Sequence, residues 1–134
     1  MKPSQHSYSI AMQFHVIDDD KQVSDVIVSM LDALGFSSWA FNSPHQYIAY
    51  AKSNEFKAPV AIMTDVSMPE MNGYKMIDLL KEIHPEQKFV VITASADSRD
   101  SDMKQAGMFL SKPVRMETLE KTATSLVRRH YQET

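Results

Sequence analysis

Three short apolar runs constrain the fold of this chain more than any other sequence feature. They lie at residues 14–17, 60–64 and 89–92, are rich in β-forming residues, and lead into acidic or hydroxyl residues. Because none alternates cleanly between apolar and polar residues, the runs are typical of strands in a parallel sheet that is covered on both faces. Weaker runs at 39–41 and 108–110 predict two further strands.

Helical patterns lie between the predicted strands. Apolar residues recur at helical spacing in four stretches, at 23–34, 47–51, 74–83 and 116–127. Gly35 follows the first stretch where a left-handed cap belongs, and Ser43 with Pro44 opens the second. We expect the last helix over about 115–129. The stretch 96–106 is the least apolar helix candidate and predicts a short helix.

Alternating strands and helices predict an α/β fold of five βα units, with right-handed crossovers and helices on both faces of a doubly wound parallel sheet. A length of 134 residues fits one such domain. We expect the domain to span residues 13–130, between a polar N-terminal tail at 1–12 and a C-terminal tail at 131–134.

Composition excludes several classes of protein. Hydrophobic residues make up 43% and charged residues 23% of the chain, which is ordinary for a globular domain. A net charge of −3 does not favour direct DNA binding, since contacts with phosphates need a surplus of Lys and Arg. The absence of Cys excludes disulfides and thiolate chemistry and favours a cytoplasmic location. No segment approaches the roughly 20 apolar residues of a membrane span, so no membrane partner is expected.

Four of the five predicted strands lead into carboxylate, hydroxyl or ammonium side chains. These are Asp18-Asp19-Asp20 after the first strand, Asp65 after the third, Thr93 after the fourth and Lys112 after the fifth. Each residue type alone is typical of a cap or a solvated turn. The carboxyl ends of parallel strands meet at one edge of the sheet, however, which is where ligands bind in such folds. Together, the four strand ends predict a functional site.

The residue types favour phosphoryl transfer to a carboxylate. Clustered Asp side chains raise one another's pKa values, and a hard divalent cation such as Mg²⁺ relieves the repulsion. Asp65 would then be a nucleophile that forms an acyl phosphate. A Lys ammonium, a Thr hydroxyl and backbone N–H groups would stabilise the transferred oxygens.

Over residues 14–129 the chain resembles the receiver domain of two-component response regulators. Within that family it is similar to the single-domain receivers of the chemotaxis-regulator type. The resemblance rests on four marks: the acidic pair Asp18-Asp19, the segment Thr-Asp-Val-Ser-Met-Pro-Glu-Met-Asn-Gly-Tyr at 64–74, Thr93-Ala94, and Lys112-Pro113. It implies a flavodoxin-like receiver fold with strand order 2-1-3-4-5.

The resemblance implies a metal site around the phosphoacceptor Asp65. Asp19 would bind Mg²⁺ directly, Asp18 through water, and Asp65 and the carbonyl of Ser67 would complete the ligands, with Mn²⁺ as an alternative ion. Asp20 has no required role and is better interpreted as a carboxylate at a helix start.

The resemblance also implies how the phosphoryl group is held and sensed. Thr93, Lys112 and the N–H groups of Val66 and Ala94 would bind its oxygens, and Thr93 would act as a switch together with Phe109. The family often has Tyr at the position of Phe109, so a hydroxyl is lost here.

Two further features follow from the resemblance. Ser67 and Ser95 occupy positions that tune the lifetime of the phosphate, and their small size predicts a moderately short lifetime. The Lys112–Pro113 peptide bond is expected to be cis.

We expect the phosphoryl donor to be a histidine kinase or a histidine phosphotransfer protein, and the output to be an unidentified protein target. The chain ends soon after the last helix, which predicts output by docking or by relay of the phosphate. The output surface, and a homodimer interface, would comprise the 96–106 helix, the last strand and the last helix.

Two other functions compete with this interpretation. A phosphatase that works through an aspartyl phosphate would use similar residues, but its nucleophile lies in an Asp-x-Asp context followed by Thr. Here Asp18-Asp19-Asp20 is followed by Lys21 and Gln22, without that Thr. A receiver-like binding module that is not phosphorylated would not need the complete set of Asp, Thr and Lys. We therefore expect no enzyme activity beyond self-phosphorylation and autodephosphorylation.

Overall fold

The computed structural model describes residues 12–94 and 107–133, which contain five strands and four helices. The strands are β1 (Phe14–Ile17), β2 (Ser38–Phe41), β3 (Ala61–Asp65), β4 (Lys88–Thr93) and β5 (Gly107–Ser111). The helices are α1 (Lys21–Ala33), α2 (Pro44–Lys52), α3 (Gly73–Ile83) and α4 (Met116–Gln132). The helix expected at 96–106 lies outside the described residues.

The five strands form one parallel sheet in the order β2-β1-β3-β4-β5. This confirms the predicted fold class and strand order. The order reverses at β1, whose last residue Ile17 pairs with Phe41 of β2 on one side and Thr64 of β3 on the other. The carboxyl ends of the central strands therefore lie level with each other at the point where a doubly wound sheet offers a crevice.

Both faces of the sheet are covered, which explains why the strand sequences are almost continuously apolar. Alternate strand residues enter two hydrophobic clusters, one on each face. Val16 belongs to the cluster formed with α1 and α4, which includes Leu119, and Ile17 to the cluster formed with α2 and α3, which includes Leu80. Each fully buried aliphatic side chain stabilises the fold by about 2 kcal/mol relative to an exposed one.

Local capping chemistry sets most of the helix boundaries. Asp20 caps α1, accepting hydrogen bonds from the N–H groups of Gln22 and Val23, so its interpretation as a helix-start carboxylate is confirmed. Ser43 caps α2 with Pro44 as the first helical residue, as predicted. Short polar side chains at these positions satisfy N–H groups that the helix itself cannot.

The last helix differs from its predicted extent. It begins at Met116, with Arg115 as N-cap, and continues to Gln132, so residues 131–132 are helical although we assigned them to the C-terminal tail. An ion pair of 2.7 Å between Lys88 at the start of β4 and Glu133 holds this end against the sheet. A contact between residues so far apart along the chain leaves no trace in the local pattern. None of the helices in 12–94 and 107–133 has the length and apolar character needed to cross a membrane.

A buried histidine lies at the centre of an aromatic cluster on the α2 side of the sheet. His15 of β1 is only 1% exposed, and its Nδ1 lies 2.7 Å from the hydroxyl of Tyr47. Its ring contacts five aromatic rings, those of Trp39, Phe41, Tyr47, Tyr50 and Phe56. Burial lowers the pKa of His15 from 6.5 to about 4, so the folded protein holds a neutral imidazole at pH 7.

His15 should make the stability of the domain depend on pH. Because its folded-state pKa lies below the unfolded value, the unfolded chain binds more protons below pH 6.5, and stability falls as the pH drops from 6.5 towards 4. The shift corresponds to a loss of about 3 kcal/mol when complete. Between pH 7 and 4.5, the free energy of unfolding measured with urea should therefore fall by about 2 to 3 kcal/mol more in the wild type than in the His15→Phe variant. The carboxylates titrate in the same way in both proteins, so the difference reports on His15. Equal losses in the two proteins would contradict this assignment.

Candidate functional site

The parallel sheet delivers the predicted site residues to one edge. Asp65 is the last residue of β3 and Thr93 the last residue of β4, while Asp18 follows β1 and Lys112 follows β5. The backbone N–H of Lys112 donates to the carbonyl of Thr93 over 2.9 Å, which extends the β4–β5 pairing by one hydrogen bond. The position of Lys112 is thus set by strand pairing as well as by its own side chain.

Three carboxylates gather at this edge. Asp18, Asp19 and Asp65 offer oxygen atoms that all lie within 4.8 Å of one another. Asp18 is 2% exposed and Asp65 is 7% exposed, whereas Asp19 faces solvent. We call these three residues the acidic cluster. It combines two buried charges with an open side from which a small ion or group can approach.

Lys112 bridges the two buried members of the acidic cluster. Its Nζ lies 3.1 Å from Oδ2 of Asp18 and 3.2 Å from Oδ1 of Asp65. The Lys112–Pro113 peptide bond is cis. One ammonium shared between two carboxylates offsets only part of their charge, so the cluster keeps a net negative charge.

The pKa values reflect this imbalance. Burial raises the pKa of Asp65, and the neighbouring charge of Asp18 raises it further, while the hydrogen bond and charge of Lys112 act in the opposite direction. Burial by itself would lower the pKa of Lys112, but its bonds to Asp18 and Asp65 outweigh burial and raise it. The lysine is therefore held as a cation beside a carboxylate whose ionised form needs further positive charge.

The acidic cluster could hold a metal ion, and its chemistry fits a hard one. Its donors are all carboxylate oxygens, which Mg²⁺ prefers, and the open side leaves room for the waters that Mg²⁺ retains. Sulfur and imidazole ligands, which favour zinc and softer ions, are absent from this set of three residues.

The start of α3 packs directly against the end of β3. A Cβ at Gly73 would overlap the carbonyl oxygen of Asp65, and the N–H of Gly73 donates to the carbonyl of Val66 over 2.9 Å. Asn72 caps the helix by accepting from the N–H of Tyr74. Only glycine fits this approach, which gives a physical reason for the Asn-Gly pair that marks the motif.

The remaining residues predicted to bind or sense the phosphoryl group lie in the loops at the strand ends and on β5, apart from one that the structure does not describe. Val66 and Ser67 lie in the loop after β3, and Ala94 follows β4 at the same edge. Phe109 lies in the middle of the outer strand β5 and is 40% exposed. Ser95 lies outside the described residues.

One neighbour of the acidic cluster was missed by sequence reasoning. Nδ2 of Asn42, the residue after β2, donates a hydrogen bond of 2.7 Å to the backbone carbonyl of Asp18. A single Asn after a strand is typical of a turn, so the residue type carried no signal.

Comparison with known proteins identifies the family to which this chain belongs. A family model for the response regulator receiver domain matches residues 14–124. The two-component response regulator ORR21 of Oryza sativa subsp. indica is 29% identical over 132 residues, which cover 94% of this chain and 18% of that protein. The autoinducer 1 sensor kinase/phosphatase LuxN of Vibrio harveyi is 32% identical over 107 residues, covering 78% of this chain and 12% of LuxN. This chain therefore spans less than a fifth of the length of either relative.

Solved structures agree on the fold. The chemotaxis protein CheY4 of Vibrio cholerae superposes with a TM-score of 0.73 at 22% identity, covering 87% of this chain and 99% of that chain. A response regulator receiver domain protein from Clostridium thermocellum superposes with a TM-score of 0.76 at 20% identity, covering 92% of this chain and all of that one, 100%. With the family model spanning most of the sequence and the same sheet order observed here, the chain belongs to the response regulator receiver domain family of two-component signalling proteins.

Proposed function

We propose that this domain is a phosphorylation switch in which Asp65 accepts a phosphoryl group from a histidine kinase or a histidine phosphotransfer protein. The observation that carries the proposal is the environment of Asp65. Its buried carboxylate ends the central strand β3, lies 3.2 Å from the ammonium of Lys112, and shares a cluster with Asp18 and Asp19. A nucleophile, a fixed cation and candidate metal ligands therefore converge on one crevice.

The transfer to Asp65 is a nucleophilic displacement at phosphorus. A carboxylate oxygen of Asp65 attacks the phosphorus of a phosphohistidine, the P–N bond breaks, and the donor imidazole leaves with the bonding electron pair, giving an acyl phosphate. When bound by Asp18, Asp19, Asp65 and the carbonyl of Ser67, Mg²⁺, or Mn²⁺ in its place, would supply positive charge to the cluster and to a phosphoryl oxygen.

The chain's own residues hold the remaining oxygens. Lys112 exchanges one of its carboxylate contacts for a phosphoryl oxygen, because its ammonium already lies within 3.2 Å of the nucleophile. Thr93, at the end of β4, and the N–H groups of Val66 and Ala94 bind the others. These donors stabilise negative charge that develops during transfer.

The receiver fold supports a non-catalytic signalling domain rather than a multiple-turnover enzyme. We propose that its own chemistry is limited to self-phosphorylation and autodephosphorylation. Ser67 and Ser95, being small, leave room for an attacking water and give a moderately short phosphate lifetime. The run Asp18-Asp19-Asp20 lacks the Thr that follows the Asp-x-Asp nucleophile of a phosphatase with an aspartyl-phosphate intermediate, which favours the signalling role.

Output would pass through a protein target. Phosphorylation draws Thr93 towards the phosphoryl group, and Phe109 changes its position in response, which alters the surface of β5 and α4. The same surface would serve a homodimer. The absence of Cys fits a cytoplasmic location, and the net charge of −3 fits a domain that does not bind DNA directly.

Asp65→Asn should abolish phosphorylation, since the amide keeps the shape of the side chain but lacks a nucleophilic carboxylate. The protein is treated with acetyl phosphate and Mg²⁺, and the acyl phosphate is measured by intact mass and by peptide mapping. Asp20→Asn is the matched control and should be phosphorylated like the wild type, because Asp20 serves as a helix cap. A normal yield from Asp65→Asn would exclude the assignment.

Asp19→Ala and Asp20→Ala should separate metal binding from helix capping. Asp19→Ala removes a charge from the acidic cluster and should weaken Mg²⁺ binding by about tenfold or more, measured by calorimetry. Asp20→Ala should cost about 1 kcal/mol of stability through the lost cap while leaving Mg²⁺ affinity nearly unchanged. If Asp20→Ala were the variant that lost Mg²⁺, the metal ligands would have been assigned one residue out of register.

Phe109→Ala should uncouple the output surface from the site. Acyl phosphate formation at Asp65 should stay within about twofold of the wild-type rate, because Phe109 lies on the outer strand rather than in the acidic cluster. The wild type should show backbone NMR shifts in β5 and the first turn of α4 on addition of beryllium fluoride, and the variant should lose them. Wild-type shifts confined to the acidic cluster would instead indicate a partner that reads the site directly.

A further inference from the structure

Asn42 connects three elements around the acidic cluster. Its Nδ2 donates to the backbone carbonyl of Asp18 over 2.7 Å and to the hydroxyl of Ser24 in α1 over 2.9 Å. A side-chain amide carries two N–H groups, so both of its donors are used. Asn42 itself directly follows β2.

The end of β2 thereby fixes the backbone on both sides of Asp18. The N–H of Asp18 donates to the carbonyl of Phe41 over 3.1 Å, the backbone bond that follows the last β1–β2 pair. Asn42 holds the carbonyl of the same residue. With both of its peptide groups bound, Asp18 has little freedom to rotate, and its carboxylate is aimed into the crevice.

Both oxygens of the Asp18 carboxylate also accept hydrogen bonds. Its Oδ1 accepts from the N–H of Asp20 over 2.9 Å, and its Oδ2 accepts from Lys112 over 3.1 Å. The first of these bonds folds the backbone between Asp18 and Asp20 into a tight loop, and Asp19 lies inside it. The direction of Asp19 therefore depends on how Asp18 is anchored.

Ser24 makes the anchor rigid. It is fully buried, and its hydroxyl donates to the carbonyl of Lys21 in the first turn of α1 while accepting from Asn42. Asn42 is itself exposed, but both of its partners are buried, and water does not replace it easily at Ser24. The helix start, the strand end and the acidic cluster share this one amide.

We propose that Asn42 is a positioning residue for the acidic cluster: it holds the loop between β1 and α1 in the shape that turns Asp18 and Asp19 towards Asp65. Its two amide hydrogen bonds go to the carbonyl of Asp18 and the hydroxyl of Ser24, and not to a carboxylate of the acidic cluster. The proposal deepens the proposed function and rests on it, since a positioned acidic cluster matters to the domain through Mg²⁺ and phosphate binding.

Amide hydrogen exchange in metal-free protein tests the positioning directly. Asn42→Ala should speed exchange at the N–H of Asp20, which is bonded to Asp18, by about tenfold because the loop loses its anchor. Ser43→Ala is the matched control: it removes the cap of α2 at the residue next to Asn42, between β2 and α2, without touching Asp18, and should leave the Asp20 amide unchanged. Unchanged exchange in Asn42→Ala, or equal acceleration in both variants, would overturn the proposal.

Calorimetric titration with MgCl₂ tests the consequence. Asn42→Ala should weaken Mg²⁺ binding by about tenfold, as supporting residues behind metal ligands commonly do, and Ser43→Ala should stay within about twofold of the wild type. Equal weakening of Mg²⁺ binding in both variants would mean that any change between β2 and α2 loosens the site, and it would overturn the proposal. If the wild type itself bound no Mg²⁺, the metal part of the proposed function would fail, and the exchange measurement would still decide the role of Asn42.

Discussion

The rest of the site depends on the two ion pairs that the ammonium of Lys112 makes with the buried carboxylates of Asp18 and Asp65. Two ionised carboxylates in a poorly solvated crevice repel each other strongly, and a fixed cation makes their coexistence tolerable. The compensation is incomplete, and burial still raises the pKa of Asp65. This residual negative charge, carried by carboxylate oxygens, is what would let the crevice hold a divalent cation.

That interaction exists because the sheet is parallel. Lys112 and Asp18 are 94 residues apart in the chain, and they meet because every strand ends at the same edge. Covering both faces of the sheet with helices excludes water from the strands and leaves the strand ends as the place for polar chemistry. The same close packing requires glycine at position 73, where α3 approaches the carbonyl of Asp65.

Much of this arrangement could be predicted from local patterns, and the exceptions share one cause. The apolar runs, the caps at Asp20 and Ser43, and the polar strand ends are local features, and the strand order came from the family resemblance. The hydrogen bond between His15 and Tyr47 and the anchor from Asn42 to Asp18 were missed. Both join residues at least 24 positions apart, and such pairs have no signature in a single sequence.

The sequence by itself determined the alternation of strands and helices, the helix caps and the types of residue that follow each strand, because these depend on neighbours within a few positions. Only the tertiary structure decided which carboxylates share Lys112, which member of the acidic cluster is exposed, and what holds Asp18 in place. Strand register and helix packing set distances to fractions of an ångström between residues far apart along the chain. The chemistry of the crevice depends on those distances, since hydrogen bonds and charge interactions in a buried site change steeply with separation.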